Sequence, residues 1–177
     1  MKLLIVVDFQ NDFISGALGF PKAELLIDKI YEKIKIFKDN NDDVLYTFDT
    51  HHEDYLETIE GKHLPTIHCL KDSWGWQLPE PINTLSGYKI TKDTFGAADL
   101  LTFLKNSKYE EIELVGLVSN ICVISNAIIA KTASPHSRII VDAQLTSSFD
   151  EELHEKALDV MTGLQIEVIN RGKNNEI

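Results

Sequence analysis

One cysteine, Cys122, stands where a fold can make a thiol chemically reactive. An apolar run predicts a buried strand over residues 112–118. After a polar break at Ser119 and Asn120, isoleucines at helical spacing predict a helix that begins near Cys122. A helix N-terminus offers free N–H groups and partial positive charge, which favour a thiolate, the nucleophilic form of cysteine. The alternative is a small buried hydrophobic side chain, which is what most unpaired cysteines are.

Two charged residues follow other predicted strands. Lys2 to Val7 is a continuous apolar run, typical of a strand buried on both faces of a parallel sheet, and Asp8 comes directly after it. A carboxylate at the end of a buried strand is costly unless it is paired or used. A turn-forming or capping role is the alternative for Asp8, and Asp12 could equally be that cap. Lys92 follows a short predicted strand over residues 88–91, although most lysines are surface charges.

A long irregular segment after the second predicted strand, Val44 to Phe48, holds four of the six histidines. Asp49 and His51 can present a carboxylate and an imidazole together from the strand end. Glu60 and His68 can complete an oxygen and nitrogen set around a metal, with room left for water or substrate. A solvated loop rich in acids and histidines is the competing interpretation.

The elements that position these residues alternate between buried strands and amphipathic helices. Further strands are predicted at Arg138 to Val141 and Ile166 to Ile169, and helices at Ala23 to Phe37, Ala97 to Lys105 and from a capping box at Ser148 and Glu151 through Met161. This alternation predicts an α/β fold with three α/β/α layers, a doubly wound parallel sheet with helices on both faces. The strand ends that carry Asp8, Asp49, Lys92 and Cys122 then converge on one edge of the sheet.

Composition limits the classes of protein to which this chain can belong. The 177 residues are 44% hydrophobic, enough for one domain over 1–177, with no internal repeat or linker. No apolar stretch reaches the roughly 20 residues that span a bilayer, and no signal peptide is visible. A formal charge of −11 argues against a nucleic-acid partner. The two cysteines, Cys69 and Cys122, form no C-x-x-C pair and suit a reducing cytoplasm. Residues 170–177 are predicted to form a frayed polar tail.

Taken together, these motifs resemble the isochorismatase-like cysteine hydrolases, and within them the nicotinamidases. The likeness to the superfamily rests on DFQNDF at 8–13 and GLVSNICV at 116–123. The likeness to nicotinamidases rests on D-x-H at 49–51, followed by EGKHLPTIHC at 60–69. The resemblance covers almost the whole chain. It implies a single isochorismatase-like hydrolase domain, with a six-stranded parallel sheet between helices.

The resemblance also implies a catalytic triad of Asp8, Lys92 and Cys122. Asp8 would take the thiol proton and return it to the departing ammonia, while Lys92 would stabilise carboxylate and thiolate by its charge. Cys122 would attack an amide carbonyl and form a thioester. The backbone N–H groups of Cys122 and Ser119 would hold the oxyanion, next to a cis peptide expected between Val118 and Ser119.

One divalent metal ion is implied by the same resemblance, zinc by preference and iron or manganese as alternatives. Its expected ligands are Asp49, His51 and His68, with Glu60 as the fourth. Phe13 matches an aromatic residue that packs on the substrate ring. The sequence departs from the usual nicotinamidase pattern near the ligand segment, so three other residues are candidates for holding the ring: Leu64, Tyr55 and Trp74.

The function implied is metal-dependent deamidation of nicotinamide to nicotinate and ammonia, a step of NAD salvage. The runner-up is another small-amide or N-carbamoyl amide hydrolase that uses the same triad. Isochorismate ether hydrolysis fits less well, because that reaction needs neither the cysteine nor a D-x-H metal site. A catalytically idle metal-binding or assembly protein is the alternative of a different class. A homo-oligomer is expected, because the family is often oligomeric.

Overall fold

A computed structural model describes residues 1–172 of the chain. Six strands, all paired in parallel, form one sheet in the order β3-β2-β1-β4-β5-β6. The strands are β1 (Lys2–Val7), β2 (Asp43–Asp49), β3 (Tyr88–Lys92), β4 (Glu111–Leu117), β5 (Arg138–Ser147) and β6 (Glu167–Ile169). The strand order reverses between β1 and β4, which makes the gap beyond their carboxyl ends the expected ligand site.

Helices cover both faces of this sheet, as predicted. They are α1 (Asn11–Ile14), α2 (Pro21–Glu24), α3 (Ile27–Asp39), α4 (Ile59–His63), α5 (Ala98–Lys105), α6 (Ile124–Ala133) and α7 (Glu151–Gly163). Side chains of α5, α6 and α7 share one buried cluster with the sheet, and side chains of α1, α2 and α3 share the other. The predicted doubly wound α/β/α class is therefore confirmed.

Strand β1 shows why its sequence is a continuous apolar run. Leu3, Ile5 and Val7 point into the α5–α7 cluster, while Leu4 and Val6 point into the α1–α3 cluster. A central strand with helices on both faces has no solvent-facing side, so the usual alternation of apolar and polar residues disappears.

The helix predicted over residues 23–37 is two helices. Pro21 starts α2, and α3 begins at Ile27 after a short turn in which Leu25 is 70% exposed. The predicted apolar stripe is nevertheless correct, since Leu26, Ile30, Ile34 and Phe37 are all buried in one cluster. Periodicity located the face that packs on the sheet but did not mark the break in the backbone.

Strand β5 and helix α7 also differ from the prediction. β5 continues to Ser147, because after an irregularity it pairs with β4 again at Thr146 and Gly116. The cap of α7 is Asp150, whose carboxylate accepts the N–H of Leu153 at 2.9 Å, and not Ser148. The predicted capping box is therefore wrong by two residues.

The C-terminal end of the described chain is bonded to the fold. Asn170 donates to Asp142 Oδ2 at 3.0 Å, and Arg171 pairs with Glu155 and Asp159 on α7. The predicted frayed tail is wrong for these two residues, and residues 173–177 of that prediction lie outside the described residues. Within residues 1–172, no helix combines the length and the apolar character that crossing a membrane requires.

A buried charge cluster lies where α3 crosses β4 and β5. Lys33 Nζ is 2.6 Å from Glu113 Oε1 and 3.4 Å from Asp142 Oδ2. The two acidic residues are 5% and 3% exposed. Burial raises the pKa of Glu113, and the Lys33 ammonium offsets part of that rise. Among residues 1–172, one ammonium thus compensates two carboxyl groups that would otherwise be buried without a cation in contact.

Replacing Lys33 with Met should therefore destabilise the fold. We expect the free energy of unfolding, measured by urea denaturation, to fall by about 2–4 kcal/mol, since breaking a buried pair leaves an uncompensated charge. Lys35→Met is the matched control, because Lys35 pairs with Glu32 only at the surface and should change stability by less than about 0.5 kcal/mol. Equal effects of the two substitutions would contradict this account of the cluster.

Candidate active site

Cys122 lies just beyond the carboxyl end of β4, as predicted, but not in the first turn of an α-helix. A five-residue π-helical turn, Ser119–Val123, precedes α6 and carries the cysteine. The N–H of Val123 reaches the carbonyl of Val118 at 3.1 Å, five residues back. Such turns are rare and are found often at functional sites. The turn holds Cys122 inward, where the residue is 5% exposed.

Asp8, Lys92 and Cys122 meet, although they are far apart in the sequence. Lys92 Nζ lies 2.6 Å from Asp8 Oδ2 and 3.7 Å from Cys122 Sγ. The ammonium also donates to the carbonyl of Thr94 at 2.9 Å. All three members of the predicted triad are buried. The structure thus places a thiol, an ammonium and a carboxyl group in one contact set.

The electrostatics of this contact set differ from the expectation for a helix N-terminus. Burial raises the pKa of the Cys122 thiol well above its usual range, and the charge of Asp8 adds to that rise. The Lys92 ammonium opposes both effects only in part. These effects favour the thiol over the thiolate, which is opposite to the preference expected from a helix N-terminus. A thiol needs a base beside it to become a nucleophile, and Asp8, which contacts the same ammonium, is the candidate.

The backbone at Asp8 is strained, which the sequence did not indicate. Its φ of 44° lies in the left-handed region, which a residue with a Cβ rarely adopts. The N–H of Asp8 donates to the Thr47 carbonyl at 3.2 Å and to the Thr47 hydroxyl at 3.1 Å. The same hydroxyl donates to Asp8 Oδ1 at 2.7 Å. Neighbouring strand β2 thus holds the carboxyl group in place.

Gln10 and Asp12 of the DFQNDF segment have structural roles that connect loops to the site. Gln10 donates to the Asp49 carbonyl at 2.9 Å and accepts the Asp49 N–H at 2.8 Å, which joins the ends of β1 and β2. Asp12 accepts the N–H of Cys69 at 2.7 Å and that of Ala17 at 3.1 Å. The capping role that was open for Asp12 is therefore not the one it has, because Asp12 lies inside α1, whose N-cap position is Gln10, and its carboxylate holds two loop N–H groups instead.

The four predicted metal ligands lie together beside the triad. One donor atom from each of Asp49, His51, Glu60 and His68 falls within 4.8 Å of the other three. Asp49 Oδ2 is 3.0 Å from His51 Nε2 and 3.4 Å from His68 Nε2. Glu60 Oε1 is 3.8 Å from His51 Nε2 and 4.0 Å from His68 Nε2. Ligands about 2.0–2.2 Å from a shared ion would stand at such separations.

The orientation of His68 fits a cation among these four residues. Its Nδ1 lies 2.8 Å from the Thr66 carbonyl, which can only accept, so Nδ1 carries a proton. In the neutral ring, Nε2 then presents a lone pair toward the Asp49 carboxylate. A metal ion between those two atoms, or a proton on Nε2, removes the repulsion, and although burial lowers the pKa of His68, hydrogen bonding to Asp49 and Thr66 raises it above its usual value. A backbone carbonyl behind the ring is the usual support of a metal-binding histidine. The donor set suggests a divalent metal site.

Asp49 belongs to both clusters. Its Oδ1 accepts from Lys92 at 3.0 Å, while its Oδ2 faces the two histidines. Burial alone would raise the pKa of Asp49, but bonds from His51 and His68 and the charge of Lys92 hold it well below its usual range. The carboxylate therefore stays ionised and joins the metal-type cluster to the triad.

A cavity of about 100 Å³ opens onto both clusters. Apart from the side chains of the two clusters, its lining is apolar: Phe13, Leu18, Leu64, Phe95, Val118, Ile121 and Phe149. Phe13 and Leu64 were predicted there, and the ring of Phe13 meets His68 edge-on at 5.5 Å. The site is thus an apolar hollow with a thiol and a ligand cluster on its walls.

Two pocket candidates lie elsewhere. Trp74 is 59% exposed and does not line the cavity, so that prediction is wrong. Its carbonyl accepts from the Asn11 side chain at 2.9 Å and from the Gln77 N–H at 3.1 Å. Tyr55 is buried behind the two histidine rings, and its hydroxyl donates to the Leu64 carbonyl at 2.9 Å. It borders a wider adjoining hollow and not the cavity itself.

Sequence reasoning missed most of the apolar lining. Phe95 follows β3 by three residues and Phe149 follows β5 by two, so both obey the strand-end rule that located the triad. Phe149 was missed because β5 was predicted to end at residue 141, eight residues before it, whereas the strand continues to Ser147. Leu18 and Ile121 carry no signal beyond an ordinary apolar side chain.

The cis peptide bond lies between Leu117 and Val118, one bond before the predicted Val118–Ser119 position. Neither bond involves proline, so no residue type marks which of them is cis, and the position had been carried over from the resemblance. Ser119, expected to contribute an oxyanion N–H, is fully buried, and its hydroxyl contacts His154 Nδ1 of α7 at 2.8 Å. Ser119 and Cys122 both lie in the π-helical turn beside the cavity.

Known proteins resemble this chain along its length. The isochorismatase domain profile matches residues 2–172. The nicotinamidase of Saccharomyces cerevisiae is 27% identical over 97% of this chain and 100% of its own. A zinc complex of the Pyrococcus horikoshii pyrazinamidase has a TM-score of 0.81 at 25% identity, covering 95% of this chain and 98% of that one. A nicotinamidase/pyrazinamidase of Bacillus subtilis has a TM-score of 0.84 at 26% identity, covering 94% and 98%.

Replacing His68 with Ala should abolish metal retention, because one of four converging donors is lost. We expect about one divalent ion per chain in the purified protein and less than about a tenth of that in the variant, measured by elemental mass spectrometry. His52→Ala is the matched control, since His52 is an exposed neighbour outside the ligand set. Metal retained by the His68 variant, or lost equally from both variants, would contradict the ligand assignment.

Proposed function

This chain belongs to the isochorismatase family, and we propose that it is an amidohydrolase that converts nicotinamide to nicotinate and ammonia. Its similarity to nicotinamidases along the whole chain supports an amidohydrolase. The observation that carries the finer proposal is the shared cavity. A buried thiol, with an ammonium and a carboxyl group in contact, faces the same apolar hollow as a cluster suited to a divalent metal.

In the first step, Asp8 takes the proton of the Cys122 thiol as the sulfur attacks the amide carbonyl carbon. A carbon–sulfur bond forms, and the carbonyl electron pair moves to oxygen. Backbone N–H groups of the π-helical turn, from Ser119 and Cys122, stabilise this oxyanion. Lys92 lies 3.7 Å from the sulfur and keeps positive charge beside the anion as it develops.

In the second step, the carbon–nitrogen bond breaks and ammonia leaves with the proton that Asp8 held. The acyl group remains on Cys122 as a thioester. Water then attacks the thioester carbon while Asp8 accepts a proton from it. The carbon–sulfur bond breaks, the sulfur regains the proton from Asp8, and the carboxylic acid is released. Asp8 therefore acts as base and acid in turn, which suits a carboxyl group whose pKa burial raises above its usual range.

When bound, a divalent ion, zinc by preference, supplies a Lewis-acid contact that orients a ring nitrogen directly or through water. Asp49, His51, Glu60 and His68 would hold it. The chain itself contributes the other restraints on the ring. Phe13 and the apolar residues around it exclude water and offer flat contact area to an aromatic amide.

The apolar lining favours a neutral substrate. Apart from the side chains of the two clusters, the cavity is lined by apolar residues and, among residues 1–172, by no arginine or lysine. An acyl group that bears a carboxylate would have to leave water among these apolar side chains with no arginine or lysine to pair with it. Nicotinamide is neutral, whereas N-carbamoyl amino acids carry a carboxylate. This difference favours the nicotinamide proposal over the N-carbamoyl alternative.

In the Cys122→Ala variant, we expect kcat for ammonia release from nicotinamide to fall by at least about a thousandfold while the protein stays folded, because no other group forms the thioester. Cys69→Ala is the matched control. Its thiol is also buried but does not line the cavity, so kcat should stay within about threefold. Ammonia can be followed by a coupled glutamate dehydrogenase assay. A Cys122→Ala variant that keeps its activity would overturn the nucleophile assignment.

A small amide panel tests substrate charge. We expect kcat/KM for nicotinamide to exceed that for N-carbamoylglycine by at least about a hundredfold, because the carboxylate of the latter would lose its water among apolar side chains with no arginine or lysine, among residues 1–172, to pair with it. Neutral pyrazinamide should lie close to nicotinamide. A preference for the carbamoyl compound would instead select the runner-up function.

A further inference from the structure

Thr47 is a buried residue of β2 to which the mechanism above assigns no role. It is fully buried, and its hydroxyl makes two hydrogen bonds to Asp8, one as acceptor and one as donor. Oγ1 lies 3.1 Å from the Asp8 N–H and 2.7 Å from Asp8 Oδ1. Among the described residues, only Thr47 contacts both the N–H and Oδ1 of Asp8, because Lys92 contacts the other carboxyl oxygen, Oδ2.

The direction of these two hydrogen bonds follows from donor chemistry. A backbone N–H can only donate, so the Thr47 oxygen is the acceptor in the contact with the Asp8 N–H. The single hydroxyl proton is then free for the shorter contact, and it points to Asp8 Oδ1. An oxygen that already accepts this proton at 2.7 Å is a poor site for a second one.

Asp8 Oδ2 is in a different situation. It is buried and lies 2.6 Å from Lys92 Nζ, an ion-pair contact. The two oxygens of one carboxyl group thus have different partners, the Thr47 hydroxyl of β2 at Oδ1 and the Lys92 ammonium of β3 at Oδ2.

We propose that Thr47 is a positioning residue that holds the Asp8 carboxyl group through Oδ1 in the orientation in which it takes the Cys122 proton. This role rests on the proposed function only for the later step, in which Asp8 returns the proton to the leaving nitrogen. The proton moves from sulfur to the Asp8 carboxylate and the sulfur keeps the electron pair. Thr47 also restrains the strained backbone of Asp8 through the N–H contact, which prevents the carboxyl group from rotating.

The test compares Thr47→Val, which removes the hydroxyl at nearly constant shape, with Thr47→Ser, which keeps it. We expect kcat for nicotinamide to fall at least about tenfold in the valine variant, with KM within about twofold, since substrate contacts are unchanged. The serine variant should stay within about threefold of the parent in kcat. Should valine prevent folding, Thr47→Ala against Thr47→Ser gives the same comparison.

A second readout needs no substrate. The rate at which iodoacetamide alkylates Cys122, followed by mass spectrometry of the cysteine peptide, reports removal of the thiol proton. We expect this rate to fall at least about fivefold in Thr47→Val and to be restored in Thr47→Ser. If the parent protein releases ammonia from no amide while this pattern holds, the proposed function fails and the role of Thr47 stands.

Thr146→Val is the matched control. Thr146 is a buried threonine of the same sheet, on β5, and its hydroxyl bonds to no described residue. The same substitution there should leave kcat and the alkylation rate unchanged. The proposal is overturned if Thr47→Val matches the parent in both readouts, or if Thr47→Ser falls as far as Thr47→Val. The latter result would mean that the methyl group, and hence packing alone, is what Thr47 supplies.

Discussion

The ammonium of Lys92 is the group on which the arrangement of this site depends. It is buried, and it reaches Asp8 Oδ2 at 2.6 Å, Asp49 Oδ1 at 3.0 Å and Cys122 Sγ at 3.7 Å. Burial alone would lower the pKa of this amine, but the charges of Asp8 and its other neighbours raise it above its usual range. The ammonium thus offsets part of the cost of burying both carboxyl groups, and at Asp49 it does so together with His51 and His68.

Strand order explains how one lysine can contact all three partners. β3, β2 and β1 are consecutive in the sheet, and Lys92, Asp49 and Asp8 stand at or directly after their carboxyl ends. β4 lies on the far side of β1, and the turn that follows it brings Cys122 back over the same edge. The ammonium of Lys92 is therefore central, 2.6 Å from Asp8 Oδ2 and 3.7 Å from the sulfur of Cys122. Asp49 extends the same row of charges to the ligand cluster.

The sequence was sufficient for features that repeat along the chain or end a strand. Buried apolar runs and helical stripes predicted the α/β/α layers, and the rule that parallel strands end at one edge predicted that Asp8, Lys92 and Cys122 would meet. The sequence was insufficient where an unusual backbone conformation is not marked by a particular residue type such as glycine or proline. The left-handed φ of Asp8, the π-helical turn and the position of the cis peptide involve no glycine or proline at the residues concerned. Long-range hydrogen bonds such as those of Thr47 become visible only with the register of β1 against β2.

The raised pKa of the Cys122 thiol has a consequence for the durability of the protein. Peroxide and other oxidants react with thiolates, so a buried sulfur that keeps its proton enters the series from sulfenic to sulfonic acid only slowly. In the proposed mechanism, Asp8 takes the proton only when a carbonyl carbon is bound beside the sulfur. The same burial would then allow reaction with the substrate and limit reaction with oxidants in the surrounding solution.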